Sequence, residues 1–142
     1  MKVRQIIYTL CVFVFLSCSS KPEKQVEYLN GYWEIVQVKK NNQILKEYTI
    51  NTIVDYFEMT DSITGYRKKV APTLDGKYLI NEHQINFDLR LENDSLHLIY
   101  NNDGTITKET ILKLNATELI IANSQGFKYF YKPFESIQLG DE

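Results

Sequence analysis

Leu29-Asn30-Gly31-Tyr32-Trp33-Glu34-Ile35-Val36-Gln37-Val38 holds the only tryptophan of the chain, two residues after a glycine and at the start of a run with strand character. Gly31 allows a sharp bend without a steric penalty, so Trp33 arrives with a large apolar ring to bury just where the first strand begins. A residue so placed suits two roles: a plug at the end of a β-barrel, formed by Gly31 and Trp33 together, or a core tryptophan of another β fold. The residues downstream decide the architecture.

Short strands separated by turns fill the rest of the chain. Ile85, Phe87, Leu89 and Leu91 alternate with Gln84, Asn86, Asp88 and Arg90, which puts one face inside and one in water. Glu92-Asn93-Asp94 turns the chain, and Leu96, Leu98 and Tyr100 continue the apolar face on the return strand. Asp75-Gly76, Asn101-Asn102-Asp103-Gly104 and Gln125-Gly126 are further turn signals. Residues 44–50 form a weaker strand candidate, and Ile53, Phe57 and Met59 alternate with Val54, Tyr56 and Glu58, so both faces of that run carry apolar groups. Residues 66–70 read as a polar strand, residues 77–80 as a short one, and Phe127-Lys128-Tyr129-Phe130-Tyr131 as the last, stopped by Pro133. No window sustains helical periodicity over three capped turns. About eight to ten short strands joined by tight turns pair antiparallel, and closure removes the exposed edges of so long a sheet. The expected fold is all-β, an up-and-down antiparallel β-barrel.

Composition narrows the function. The 142 residues carry a net charge of −2, and loss of Lys2 and Arg4 with a leader makes it −4, so no basic footprint for nucleic acid remains. Lys39-Lys40 and Arg67-Lys68-Lys69 read as solvated turn or edge residues. Ten tyrosines and seven phenylalanines are many for this length and favour strands.

Residues 1–17 read as an export signal: Lys2 and Arg4 form a charged n-region, and residues 6–16 an apolar stretch too short to span a bilayer. Phe15-Leu16-Ser17-Cys18 resembles a bacterial lipobox, in which the cysteine is acylated and becomes the new N-terminus. The other reading is an ordinary secretory signal with Cys18 incidental. Acylation at Cys18 implies an exported lipoprotein held in a membrane, the outer membrane of a diderm cell envelope, by palmitate-type chains. Residues 18–27, rich in Ser, Lys, Pro, Glu and Gln, form the expected flexible tether, residues 28–135 the barrel domain, and residues 136–142 a C-terminal tail.

Gly31-Tyr32-Trp33 resembles the G-x-W signature on the first strand of lipocalins, and Leu119-Ile120-Ile121 with Phe127-Lys128-Tyr129-Phe130-Tyr131 is similar to the closing strands of lipocalin-like bacterial lipoproteins. The resemblance covers residues 29–132. It implies a closed β-barrel of a family with few known ligands, and an arginine of the last strand over the tryptophan, a place that Lys128 or Lys132 would have to fill.

Catalytic and metal chemistry find no pattern. His83 and His97 read as exposed polar residues, the carboxylates Asp55, Glu58 and Asp88 fall on separate strands or faces, and no nucleophile elbow, phosphate loop or metal spacing occurs. No cofactor is expected. Phe57, Phe87, Leu89, Leu98, Tyr100, Tyr129 and Tyr131 are the candidate wall of a ligand cavity, although a small barrel can fill itself with the same residues. With a filled interior the chain would serve instead as an envelope interaction or structural lipoprotein, working through exposed tyrosines such as Tyr32, Tyr56 and Tyr66. Asp61-Ser62-Ile63 and Asp94-Ser95-Leu96 resemble short sequons O-glycosylated on exported proteins of some diderm bacteria; turn chemistry accounts for them equally.

Overall fold

A computed structural model describes residues 22–135, so the export signal, Cys18 and the tail 136–142 lie outside the described residues. Among the described residues nine strands follow one 3₁₀ helix, Pro22–Leu29: β1 (Gly31–Lys40), β2 (Gln43–Glu47), β3 (Val54–Met59), β4 (Thr64–Pro72), β5 (Tyr78–Glu92), β6 (Ser95–Asn102), β7 (Thr105–Leu114), β8 (Leu119–Asn123) and β9 (Phe127–Pro133). All pairings are antiparallel, and β1 pairs with β9, so β1 and β3 to β9 close an eight-stranded barrel. The up-and-down barrel inferred from alternation and turns is the observed fold.

The ninth strand reflects a break in the wall. Along one side of β1, residues 37–40 pair with β2 and residues 31–33 pair with β3. Between them residues 48–53 leave the sheet, so the weak strand expected over 44–50 ends at Glu47. The short strand expected at residues 77–80 and the clear one after it merge into β5, fifteen residues long, with a register shift opposite Lys68 and Val70.

Two-residue turns at Asn41-Asn42, Asn93-Asp94 and Asp103-Gly104 all have positive φ, the primed geometry that matches strand twist. They alternate between the barrel ends. The end carrying the β3–β4, β5–β6 and β7–β8 turns is packed with Leu29, Trp33, Phe57, Phe87, Leu89, Leu96, Leu98, Ile111, Leu114, Leu119 and Ile121. The 3₁₀ helix closes it, with Leu29 fully buried and Val26 against the cluster. Residues i and i+3 eclipse in a 3₁₀ helix, so Val26 and Leu29 share its inward face. The flexible tether expected over 18–27 therefore does not extend through Pro22–Leu29, because these two apolar side chains dock the segment.

Trp33 is buried at this end, and its Nε1 donates to the Leu29 carbonyl at 2.9 Å. Gly31 precedes it at φ +123°, a conformation that L side chains rarely adopt. Neither Lys128 nor Lys132 covers the indole: Tyr129 and Tyr131 take the inward positions of β9, so the two lysines project outward, and Lys132 pairs with Glu34 at 2.9 Å.

Candidate functional site at the barrel mouth

Above the packed end the lumen turns polar. β3 carries Asp55 on the same face as Phe57, and β4 carries Arg67 and Lys69 on the face of Gly65, as a period of two requires. Arg67 is thus inside the barrel on a central strand, which corrects its reading as a solvated edge residue. Its Nη2 donates to Asp55 Oδ2 at 2.8 Å and to the Tyr131 hydroxyl at 2.9 Å, and its Nη1 reaches Glu109 Oε2 at 3.4 Å. Lys69 Nζ donates to Asp55 Oδ1 at 2.7 Å, and the Tyr100 hydroxyl to Glu109 Oε2 at 2.9 Å. Five strands contribute to this floor. Asp55, read as one of several scattered carboxylates, is its most buried charge, with 4% of its side chain exposed. The guanidinium also lies 5.0 Å from the centre of the Phe57 ring, a cation–π contact that joins the polar floor to the apolar end. Arg67 Nε is buried without a hydrogen-bond partner, against the general rule for interior donors.

The electrostatics follow from this geometry. Burial alone would raise the pKa of Asp55, but the charges and hydrogen bonds of Arg67 and Lys69 outweigh it and hold the carboxyl below its usual range. Burial, reinforced by Glu109 and opposed by Arg67, pushes the Tyr100 hydroxyl well up, and burial does the same to Tyr131. Both phenols therefore stay neutral donors and acceptors.

Over this floor opens a cavity of about 780 Å³, walled by Ile35, Val38, Tyr129, Tyr131 and residues 46–53. A second cavity of about 450 Å³ meets it over Arg67, Lys69 and Glu109 and extends to Tyr100, Ile85, His83 and Thr107. Segment 48–53, absent from the sheet, is held as a wall by Asn51, whose Nδ2 donates to the Ile35 carbonyl at 2.9 Å and to Glu34 at 3.1 Å, and by Tyr48 N–H on the Val36 carbonyl.

The candidate wall residues divide between the two ends. Tyr129 and Tyr131 line the larger cavity and Tyr100 the smaller, although Tyr100 and Tyr131 also belong to the buried cluster; Phe57, Phe87, Leu89 and Leu98 belong to that cluster and line neither cavity. Arg67, Lys69, Asp55 and Glu109 were missed as site residues. A strand of lysine and arginine flanked by apolar strands, and an aspartate two residues from a buried phenylalanine, are the signals that pointed to them.

His83 is exposed and borders the smaller cavity. His97 departs from its expected exposure. It lies on the outer face but is 9% exposed, because its cross-strand neighbours Arg90 and Thr110 flank the ring, and its Nδ1 sits 2.9 Å from Thr110 Oγ1. Among the described residues no group of three His, Cys, Asp or Glu could hold a metal, and no helix is long and apolar enough to cross a membrane. Ser62 sits in an exposed turn in which Asp61 Oδ1 accepts from Ile63 N–H and Thr64 N–H, and Ser95 opens β6.

The family model of the lipocalin-like domain matches residues 29–121, from the residue that caps the closed end to the inward Ile121 of β8. The chain belongs to this lipocalin-like family. Similar solved structures include a lipocalin-like protein from Bacteroides uniformis, 13% identical, covering 75% of this chain and 98% of that one with a TM-score of 0.46. An uncharacterized protein from Bacteroides eggerthii is also 13% identical, with a TM-score of 0.46 over 75% of this chain and 99% of that one. Lobster apocrustacyanin A1 is 14% identical, with a TM-score of 0.42 over 86% and 74% of the two chains. No curated protein matches the sequence.

Proposed function

We propose that this lipocalin-like barrel is a non-catalytic binding module that takes one small amphipathic molecule in its open mouth, and that it works as an exported lipoprotein anchored through acylated Cys18, in the outer membrane. The observation that carries the binding half is the cavity of about 780 Å³ over the Arg67 floor, at one end of a barrel whose other end is packed. Its size falls in the range of small-molecule sites, and it combines apolar walls with a few convergent polar groups. Tyr100, Tyr129 and Tyr131 are the proposed contacts, with the packed cluster of Phe57, Phe87, Leu89 and Leu98 as the rigid base beneath them. Support for anchoring comes from the charged start, short apolar stretch and Ser17-Cys18 pair. Several acyl chains hold a protein to a bilayer far more firmly than one.

Native mass spectrometry of the protein purified from its source cells tests both halves. The expected result is a co-purifying small molecule and an acylated N-terminal Cys18. Ligand-free protein that also takes up no amphiphile in titration removes the binding half, and an unmodified Cys18 removes the anchor.

One observation favours a second reading, an interaction module: among the described residues β2 pairs only with β1, leaving a free edge strand with Ile44 and Leu45 each 54% exposed. Unpaired edges of this kind are templates for strand addition. The tyrosines expected to serve such a surface are already engaged. Tyr56 and Tyr66 both donate to Glu58, and Tyr32 stacks on Tyr78 with ring centroids 4.2 Å apart.

A further inference from the structure

The charges lining the larger cavity cancel. Lys46, Arg67 and Lys69 face Glu47, Asp55 and Glu109, three cations against three carboxylates. At the floor the compensation is direct. Both oxygens of Asp55 are occupied, Oδ2 by Arg67 at 2.8 Å and Oδ1 by Lys69 at 2.7 Å, while one oxygen of Glu109 takes both Arg67 at 3.4 Å and Tyr100 at 2.9 Å. A carboxylate ligand that approached Arg67 or Lys69 would also approach Asp55 or Glu109. It would lose its hydration without finding net positive potential, a loss worth several kcal/mol for an ion.

Neutral polar groups meet the opposite situation. The Lys69 ammonium, with 59% of its side chain exposed, has N–H groups beyond the one directed at Asp55. The Tyr129 hydroxyl accepts from Asn123 Nδ2 at 3.3 Å, which leaves its own O–H free to donate. Both are donors at the cavity wall, next to the apolar side chains of Ile35 and Val38. We propose that the mouth selects uncharged amphiphiles whose polar end presents a hydrogen-bond-accepting carbonyl or ester oxygen, and rejects the corresponding carboxylates. The selection is electrostatic, by like charges placed against the wrong ligand. It rests on the mouth being the binding site.

Isothermal titration of the full chain with 1-decanoylglycerol and with decanoate, at about pH 8 where the acid is ionised, separates the possibilities. The glyceride is expected to bind at least about tenfold more tightly than decanoate. Glu109→Gln leaves the lining with a net positive charge and should tighten decanoate by about tenfold or more, with a smaller change for the glyceride. Lys69→Gln, which keeps an N–H donor at a side chain 59% exposed while leaving the lining with a net negative charge, should widen the preference for the glyceride over decanoate. Decanoate binding as tightly as the glyceride in the unsubstituted chain overturns the selection, as does a ratio that neither substitution moves. Loss of the glyceride signal on Tyr129→Ala places the binding in the mouth. A signal unchanged by Tyr129→Ala, or no binding of either probe, overturns the mouth as the site and the selection with it.

Discussion

Arg67 and Asp55 meet at 2.8 Å inside the barrel, from neighbouring strands whose register sets them on a diagonal: Asp55 lies opposite Lys69, and Arg67 opposite Phe57. The pair forms the boundary between the two halves of the lumen. Below it the Phe57 ring carries the guanidinium, and above it the cavity opens. A charge pair in this position is costly to desolvate, so its removal as a unit and its disruption have different consequences.

Asp55→Asn should therefore lower stability by about 3 to 5 kcal/mol, since it leaves Arg67 buried and poorly compensated. The double substitution Asp55→Leu with Arg67→Met should recover much of that loss. The pH dependence has a fixed sign. The Asp55 carboxyl has a lowered pKa in the fold, so its contribution is fully present above the ordinary aspartate value of 3.8 and is lost as pH falls through the folded value. Urea melts between neutral pH and about pH 3 should show this acid limb in the unsubstituted chain and a shallower one in Asp55→Asn. Equal slopes would remove Asp55 from the account.

Gly65 makes a second sharp test. A Cβ there would stand 2.6 Å from the Phe87 ring and 2.6 Å from the Glu58 carbonyl oxygen, closer than real Cβ contacts. Gly65→Ala should cost about 1 to 3 kcal/mol through overpacking. Part of the clash is with a ring, so Gly65→Ala in a Phe87→Leu background should cost less than in the unsubstituted chain. That non-additivity, read from four denaturant melts, distinguishes contact from a general loss of strand propensity.

The barrel was legible because its signals are local. Strict alternation in Ile85, Phe87, Leu89 and Leu91, and turns at Asn93-Asp94 and Asp103-Gly104, fix hairpins without reference to distant parts of the chain. The mouth was only half legible. Tyr100, Tyr129 and Tyr131 stand out as aromatics on inward faces, but which end of a closed barrel is packed depends on where the 3₁₀ helix docks. That docking rests on two apolar residues, Val26 and Leu29, in a polar stretch. Arg67 was obscured by its neighbours. In a run of three basic residues the middle one, Lys68, does point outward, its Nζ 4.7 Å from the Tyr66 ring centre, and the run as a whole looks solvated. Only the pairing of β4 between β3 and β5 turns Arg67 and Lys69 inward, and it sets Arg67 opposite Phe57 on one side and Ile85 on the other, partners that the basic run itself does not announce.

Trp33 and Gln84 contrast the closed end with the outer wall. Trp33→Ala removes a buried indole together with its hydrogen bond to Leu29 and should cost about 3 to 5 kcal/mol. Gln84→Ala, exposed on β5 with its amide donating to Asn86, should cost less than about 0.5 kcal/mol. Comparable midpoint shifts in urea would show that Trp33 does not hold the closed end.

Asn51 ties the wall of the mouth to β1 rather than holding the barrel closed. Its amide donates to the Ile35 carbonyl at 2.9 Å and to Glu34 at 3.1 Å, while the strands on either side of the 48–53 break keep their own ladders. Asn51→Ala should thus cost only about 1 kcal/mol globally, in line with the net worth of such bonds. Its larger effect should be local, because a segment with few buried contacts opens independently of the core. Hydrogen exchange should accelerate in residues 48–53 while β5 and β6 stay protected, and any amphiphile bound in the mouth should leave faster with little change in its association rate. Uniform loss of protection across the barrel would mean that Asn51 supports the whole fold, and unchanged exchange in 48–53 would mean that Tyr48 and its bond to Val36 hold the wall alone.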